Sequence, residues 1–578
     1  MRKDRLLVID NNNEFDRKGI KYLFNENLKG RILFLHIDST NTLIMRYSGK
    51  QDLFLNVLNG MTMPDSGEVL INGHNLYTRE GKENLKGVIG FVPQDDLLFE
   101  DLTVWQNLYY NARMCLDKLV KSGIKEAVDR ILADFDLDVI RDLKVGNPLN
   151  KIISGGQRKR LNIALELIRE PTILLVDEPT SGLSSVDAEV VMNMLKKQTY
   201  KGRLVIISIH QPGSDIYKMF DRIMIMDRGG YMIFYGNPTE AVIWFKTRAN
   251  HANAFEDQCV TCGNVNTDQL LQIIEAKVVN EYGKPTHIRR VAPSEWADTF
   301  RPEAEKIVQA KQISGKLLPE NNYSVPGLFK QSGIFFIRDF LSKLANRQYI
   351  LISLFGAPLP ALVLAYFTRD TSGSAYNFSE NENLPAYIFM CVITASFMGL
   401  IISAEEIVKD RKILQRESFL NLSWFSYLNS KIFMMFMISA IQTISFILIG
   451  NSILGIKGMT LTYRIVLFST SCLANLIGLN ISAAFNSVVT IYILTPFIII
   501  PRLLFSGVLV KFDSLHTSEY HSYEFVPVLG DLMPARWSFE ALAVEVEGMC
   551  CGLVRCFCIS QCIISFYRKQ SISTSPPG

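Results

Sequence analysis

Between residues 348 and 509 the chain carries five runs of mostly apolar residues, at roughly 348–367, 386–404, 432–451, 465–486 and 489–509. A helix needs about 20 such residues to cross a bilayer. In lipid every backbone amide and carbonyl must be satisfied inside the protein, so runs of this kind fold as spanning helices or not at all. Five in series predict an all-α polytopic membrane domain at 348–511. The first run contains Pro358 and Pro360, which a membrane helix tolerates where neighbouring helices satisfy the freed carbonyls.

The charges between the runs orient them. The connection 405–430 carries Lys409, Arg411, Lys412 and Arg416, whereas 368–385 has Arg369 as its only basic residue. Basic connections stay on the cytoplasmic side, which places 405–430 there. The chain starts Met-Arg-Lys-Asp-Arg with no apolar stretch behind it, so the expectation is that the first half is cytoplasmic. Residues 327–347 alternate Phe329, Phe336, Phe340 and Leu344 with Lys330, Arg338 and Lys343. That pattern predicts an amphipathic helix lying at the membrane interface. Residues 512–578 are read as an extracytoplasmic segment and an atypical tail. The tail holds Cys550, Cys551, Cys556, Cys558 and Cys562, and 552–567 is a candidate sixth span although short and interrupted by Arg555.

Residues 1–345 read as ordinary soluble sequence. The whole chain, 578 residues long, exceeds what one core can hold. A net charge of +3 with 20% charged residues gives no reason to expect a nucleic-acid partner. The ten cysteines are scattered or crowded into the tail, which argues against a disulfide framework.

Two motifs stand close together in the soluble half. Ile153-Ser154-Gly155-Gly156-Gln157 opens a helix with small residues, and Thr172–Thr180 is an apolar strand that ends in Asp177-Glu178-Pro179-Thr180. A helix N-terminus offers unpaired amides and a positive dipole end, which suits phosphate. Adjacent carboxylates at a strand end suit a hard cation and a general base. Around them lie a strand at 88–92 followed by Pro93-Gln94-Asp95, a loop at Ser181-Gly182-Leu183-Ser184-Ser185, and a strand Leu204–Ile209 that ends on His210.

In this order the motifs resemble the signature motif and Walker B of an ATP-binding cassette (ABC) ATPase. The implied fold is an α/β P-loop-type nucleotide-binding domain, at 56–247, fused to the all-α membrane domain. Cassette first and membrane domain second, with Asp177–Leu183 and Ile209-His210-Gln211-Pro212, resembles the white/G subfamily of half-transporters. Glu406, Arg411, Arg416 and Glu417 after the second run, and Phe505-Ser506-Gly507 after the fifth, agree with that subfamily. The linker 248–326, with Cys259-x-x-Cys262, is similar to Bacteroidetes-type bacterial forms. One Cys-x-x-Cys is half a zinc site, with His251 and His287 as remote candidates, and no metal is expected there.

The resemblance implies roles. Glu178 would be the general base and His210 would contact the γ-phosphate. Gln94 and Asp177 would hold Mg²⁺ through the nucleotide, Ser181 would stand in the D-loop, and Ser154, Gly155, Gly156 and Gln157 would cover the ATP held by a second subunit. The implied function is ATP-driven export of a hydrophobic or amphipathic small molecule or lipid across a bacterial inner membrane, by a homodimer or heterodimer with ATP and Mg²⁺.

One part departs from the family. A P-loop requires G-x-x-x-x-G-K-[ST], and the only Gly-Lys in place is Gly49-Lys50, with Ile44 where the first glycine belongs and Gln51 where Ser or Thr belongs. Residues 32–47 read as two strands joined by a polar turn. The expectation is a separate β-rich segment, 1–55, joined after an internal loss to the end of the P-loop helix near Leu55/Asn56, with a reading-frame change after about Val546. Two alternatives follow: a catalytically deficient subunit of a heterodimer, or a truncated or frameshifted inactive product.

Overall fold

The fold is taken from a computed structural model. It describes residues 32–35, 41–46, 51–64, 68–72, 74–147, 151–251, 253–256, 263–310, 322–369, 381–456, 459–506, 508–509 and 528–550. They belong to two compact units, Met1–Pro326 with Phe419–Asn421, and Gly327–Ser418 with Leu422–Gly578.

The first unit is built on a six-stranded sheet. Its strands are β2 (Asn41–Arg46), β5 (Ile89–Val92), β6 (Ile173–Asp177), β7 (Leu204–Ile209), β8 (Arg222–Met226) and β9 (Met232–Gly236), in the spatial order β5-β6-β7-β2-β8-β9. All neighbours are parallel except β8 and β9. Buried parallel strands are apolar throughout, and Ile-Leu-Leu-Val-Asp of β6 and Leu-Val-Ile-Ile-Ser-Ile of β7 are buried at every position. A smaller sheet pairs β1 (Ile32–Leu35) parallel to β3 (Glu68–Ile71), with β4 (His74–Asn75) antiparallel to β3. Its helices include α1 (Gln51–Leu58), α2 (Arg79–Asn84), α3 (Val104–Cys115) and α4 (Lys121–Asp134). They continue with α5 (Gly155–Leu167), α6 (Ser185–Tyr200), α7 (Ser214–Lys218) and α8 (Pro238–Arg248). Thr103 and Gln106 close the start of α3 with a reciprocal capping box.

Here the structure differs from the sequence reading in two places. First, β2 is no appendage. It runs in register between β7 and β8, with Leu43 opposite both Ile207 and Ile223. Helix α1 passes uninterrupted through Leu55 and Asn56, the proposed junction. Second, much of the charged linker is folded. Residues 263–310 form α9 (Thr267–Ile274), the hairpin β10 (Lys277–Val279) and β11 (Pro285–Arg289), and α10 (Pro293–Ala310). Trp296 and Phe300 of α10 pack on Trp244 and Phe234, with ring centres 5.8 and 5.5 Å apart respectively. Arg289 holds the hairpin to the β8–β9 turn through two hydrogen bonds to the buried Asp227, at 2.8 and 2.7 Å.

The second unit is helical. Helix α11 (Leu328–Ala345) buries Gln331, Ile334, Phe335 and Arg338 and exposes Phe329, Ile337 and Leu344. Among the described residues four stretches are long and apolar enough to cross a bilayer: Arg347–Thr368, Leu384–Phe419, Trp424–Leu454 and Thr460–Ala484. The first is broken into α12 (Arg347–Phe355) and α13 (Pro358–Thr368). Gln442 of α16 (Trp424–Leu454) donates to the Ser353 carbonyl at 3.0 Å beside the break. The second stretch comprises α14 (Leu384–Ala404) and α15 (Glu406–Phe419), so the charged connection begins as helix rather than loop.

Helix α17 (Thr460–Ala484) follows, then α18 (Val488–Leu504), apolar but only 17 residues long, and α19 (Val528–Asp531) and α20 (Pro534–Cys550). The candidate sixth span 552–567 and most of the cysteine-rich tail lie outside the described residues. Helices α14 and α17 meet along small residues. A Cβ on Gly399 would stand 2.5 Å from the Ser471 carbonyl oxygen, so only glycine permits this approach. Lys431 of α16 is buried against Asp339, Glu406 and Asp410 at 2.8, 2.9 and 2.9 Å, and Lys343 meets Glu406 at 2.8 Å. Together these ion pairs fasten α11, α15 and α16.

Candidate active site

The site is made where β6 and β7 end. Asp177 is the last residue of β6 and pairs in register with Ser208 of β7. The Ser208 hydroxyl donates to Asp177 Oδ1. The Glu178 amide donates to the Ser208 carbonyl at 3.1 Å. Beyond the strand the backbone turns sharply, with Glu178 at φ 42° and, after β7, Gln211 at φ 53°. Left-handed backbone at a side-chain-bearing residue costs about 1–3 kcal/mol and persists only where the surroundings over-determine it. Here the two turns bring Glu178, Thr180 and Ser181 together with His210 and Gln211 around one cleft of about 640 Å³.

Gln94, two residues beyond β5, reaches Glu178 rather than the cleft wall. Its Nε2 donates to Glu178 Oε2 at 2.8 Å, which leaves the amide oxygen of Gln94 for a ligand. Gln94, the consecutive pair Asp177-Glu178, and His210 thus stand at the ends of the adjacent parallel strands β5, β6 and β7.

Ser154–Gln157 forms the N-terminus of α5. Ser154 is the N-cap, accepting from the Gln157 amide at 3.2 Å while the Ser154 amide donates to Gln157 Oε1 at 2.8 Å. A Cβ on Gly156 would stand 2.7 Å from Asp187 Oδ1, and one on Gly155 would stand 3.6 Å from Leu183. The motif is therefore glycine-rich at position 156 because α6 packs against it. It does not line the 640 Å³ cleft of its own chain.

The basic residues after it are committed internally. Arg158 and Lys159 are buried and pair with Asp96 at 3.3 and 3.6 Å, and Lys159 also donates to the Gln94 carbonyl. Asn162 donates to the Asp95 carbonyl at 3.4 Å. These contacts tie α5 to the Gln94 loop. Sequence reading missed Asp96 and Ser208, since nothing local marks an aspartate in a loop or a serine inside an apolar strand.

Gly49 and Lys50 lie outside the described residues, as do Cys259 and Cys262. The elements on either side of the former are informative. Four residues, 47–50, separate the end of β2 at Arg46 from the start of α1 at Gln51. Gly49-Lys50 thus directly precedes the helix that follows a central strand, the place a phosphate loop occupies. Among the described residues no group of three or more His, Cys, Asp or Glu side chains is disposed to hold a metal ion. A divalent ion at this cleft would need ligands beyond the side chains alone.

Comparison with known proteins bears on both units. Residues 48–181 match the ABC transporter family model and residues 330–544 the ABC-2 type transporter model. The chain is 37% identical over 220 residues to the "Broad substrate specificity ATP-binding cassette transporter ABCG2" of Rattus norvegicus, a stretch that is 38% of this chain and 33% of that protein. It is 39% identical over 202 residues to "ABC transporter G family member 14" of Arabidopsis thaliana, 35% of this chain and 30% of that protein. It is 38% identical over 195 residues to "ABC-type transporter claG" of Penicillium crustosum, 34% of this chain and 25% of that protein. The matched stretch thus spans a third or less of each of these relatives. With an ATP-binding cassette followed by an ABC-2 type membrane domain on one polypeptide, the chain belongs to the ABC transporters, in the G-subfamily half-transporter arrangement.

Proposed function

We propose that this chain is one half of a dimeric exporter that uses ATP to move a hydrophobic or amphipathic substrate across a bacterial inner membrane. The observation that carries the proposal is the cleft at the ends of β6 and β7, where Glu178 and His210 face a common space on a chain that continues into long apolar helices. The substrate class rests on family resemblance and on the broad specificity in the name of the rat relative; fold alone does not fix cargo.

Glu178 is the general base of this reading. Its carboxylate faces the cleft and is held by the Gln94 amide, so it can take a proton from an attacking water. Asp177, anchored by Ser208, would orient a divalent ion through its water shell. His210 and Ser181 stand at the cleft to meet a terminal phosphate, and the capped end of α5 presents its amides to the ATP held by the partner subunit. Bound MgATP would supply the electrophilic phosphorus and the charge neutralisation. The residues on the Gln94, Asp177 and Glu178 side fit that ligand. On the phosphate-loop side only Gly49 and Lys50 are available, without the first glycine and without Ser or Thr at 51.

That defect favours a second reading, a catalytically deficient subunit. In a heterodimer with an intact partner, the partner's phosphate loop would face this chain's Ser154–Gln157 and one complete site would remain. A homodimer would have two incomplete sites. The deciding experiment is ATP binding and turnover by the purified chain in lipid, with Glu178→Gln as control. Turnover abolished by Glu178→Gln supports the self-sufficient exporter. Binding and turnover that appear only with a co-expressed intact half-transporter support the dependent subunit. Neither under either condition removes both readings and leaves an inactive product.

A further inference from the structure

We infer that Ser208 is a positioning residue for both carboxylates of the site; this rests on the reading above that Asp177 and Glu178 serve ATP hydrolysis. Ser208 is the one polar side chain in the otherwise aliphatic strand Leu-Val-Ile-Ile-Ser-Ile, and it is fully buried. A hydroxyl in such a strand needs a partner inside the protein, and here it has a particular one. It donates to Asp177 Oδ1 across the β6–β7 pair. The bond tethers one oxygen of the Asp177 carboxylate to the neighbouring strand.

The same residue underlies the strained turn. The Glu178 amide donates to the Ser208 carbonyl at 3.1 Å and lies 3.4 Å from its hydroxyl oxygen. Glu178 then leaves the strand at φ 42°. Such a conformation has to be held by its surroundings, and Ser208 meets the chain at the residue before the bend and at the bend itself. Ser208 thus holds one oxygen of Asp177 through its hydroxyl, and the Glu178 peptide through its carbonyl and, at 3.4 Å, its hydroxyl. Gln94 holds the far end of Glu178 at 2.8 Å, so the general base is fixed at its root and at its tip by different strands.

The test uses the full chain in lipid nanodiscs with Ser208→Ala and Ser208→Thr. Backbone amide hydrogen exchange is read at 177–183 and, as internal reference, at 204–209. The expected result is several-fold faster exchange at 177–183 in Ser208→Ala, little change at 204–209, and recovery in Ser208→Thr, which keeps the hydroxyl. Where the wild type turns ATP over, alone or with a partner, Ser208→Ala should lower kcat at least tenfold with KM for ATP unchanged and raise the Mg²⁺ concentration needed for half-maximal rate. Unchanged exchange at 177–183, equal loosening of 204–209, or failure of threonine to restore the wild-type pattern overturns the inference. Absence of turnover in every wild-type preparation counts against the hydrolytic reading alone, since the exchange measurement still decides whether Ser208 positions the turn.

Discussion

Replacing Arg289 with Met asks whether the segment 263–310 is part of the fold or a tether. Arg289 donates twice to Asp227, at 2.8 and 2.7 Å, and once to Glu275 at 2.8 Å. Burial acts against the guanidinium's charge, but the hydrogen bonds and charges of Asp227 and Glu275 outweigh it and raise its pKa. The guanidinium therefore stays charged throughout the usual pH range. Asp227 is 1% exposed, and stripping a buried carboxylate of its partner costs about 3–5 kcal/mol. Arg289 retains some exposure, 11% of its side chain, and the Arg228 amide still reaches Asp227 at 2.6 Å. Both facts reduce the expected local loss to about 2 kcal/mol, below the range for a fully buried broken pair. At about 1.4 kcal/mol per decade this is roughly 30-fold faster amide exchange across the β10–β11 hairpin. Adding Asp227→Asn removes the orphaned charge, so the double variant should recover at least half of the effect. Exchange changed by less than about threefold in Arg289→Met, or a double variant worse than the single, would refute the reasoning and return the segment to the status of a linker.

Three further outcomes are expected. Lys431→Met leaves Asp339 and Glu406 to Lys343 and leaves Asp410 with the Tyr427 hydroxyl in place of a cation, which should destabilise the helical unit by about 3–5 kcal/mol; adding Asp410→Asn should restore part of the melting temperature, and an unchanged midpoint for Lys431→Met would show the cluster to be solvated instead. Gln442→Leu removes the donor to the Ser353 carbonyl beside the break in the first span, a loss of about 1–3 kcal/mol, to be read as a lower unfolding midpoint in nanodiscs; a midpoint at or above the wild type would mean that the carbonyl finds another donor. Ser482 accepts from the Ile407 and Val408 amides, both at 3.0 Å, at the start of α15. Ser482→Ala should cost about 1 kcal/mol, as the loss of a helix cap does, and speed exchange at 406–409, while equal exchange in the two proteins would exclude a capping role.

Much of this protein could be read one residue after another. The apolar runs declare spanning helices because lipid forbids unsatisfied backbone, whatever packs beside them. Ser154–Gln157 and Asp177–Thr180 declare their elements because a cap and a strand end are local chemistry.

What the sequence left open depends on partners distant along the chain. Asn41–Arg46 looks the same whether it is an appendage or the strand between β7 and β8, because parallel pairing is decided by residues more than a hundred positions away. The charged 263–310 reads as a linker until Arg289 meets Asp227 and Trp296 meets Trp244. Arg158 and Lys159 have no partner marked in their own helix; Asp96, more than sixty residues earlier, takes both. Ser208 is merely a serine in an aliphatic strand until the register sets it against Asp177. Local patterns of hydropathy and capping are carried by neighbouring residues; the pairing of charges and the register of parallel strands exist only once the chain has folded.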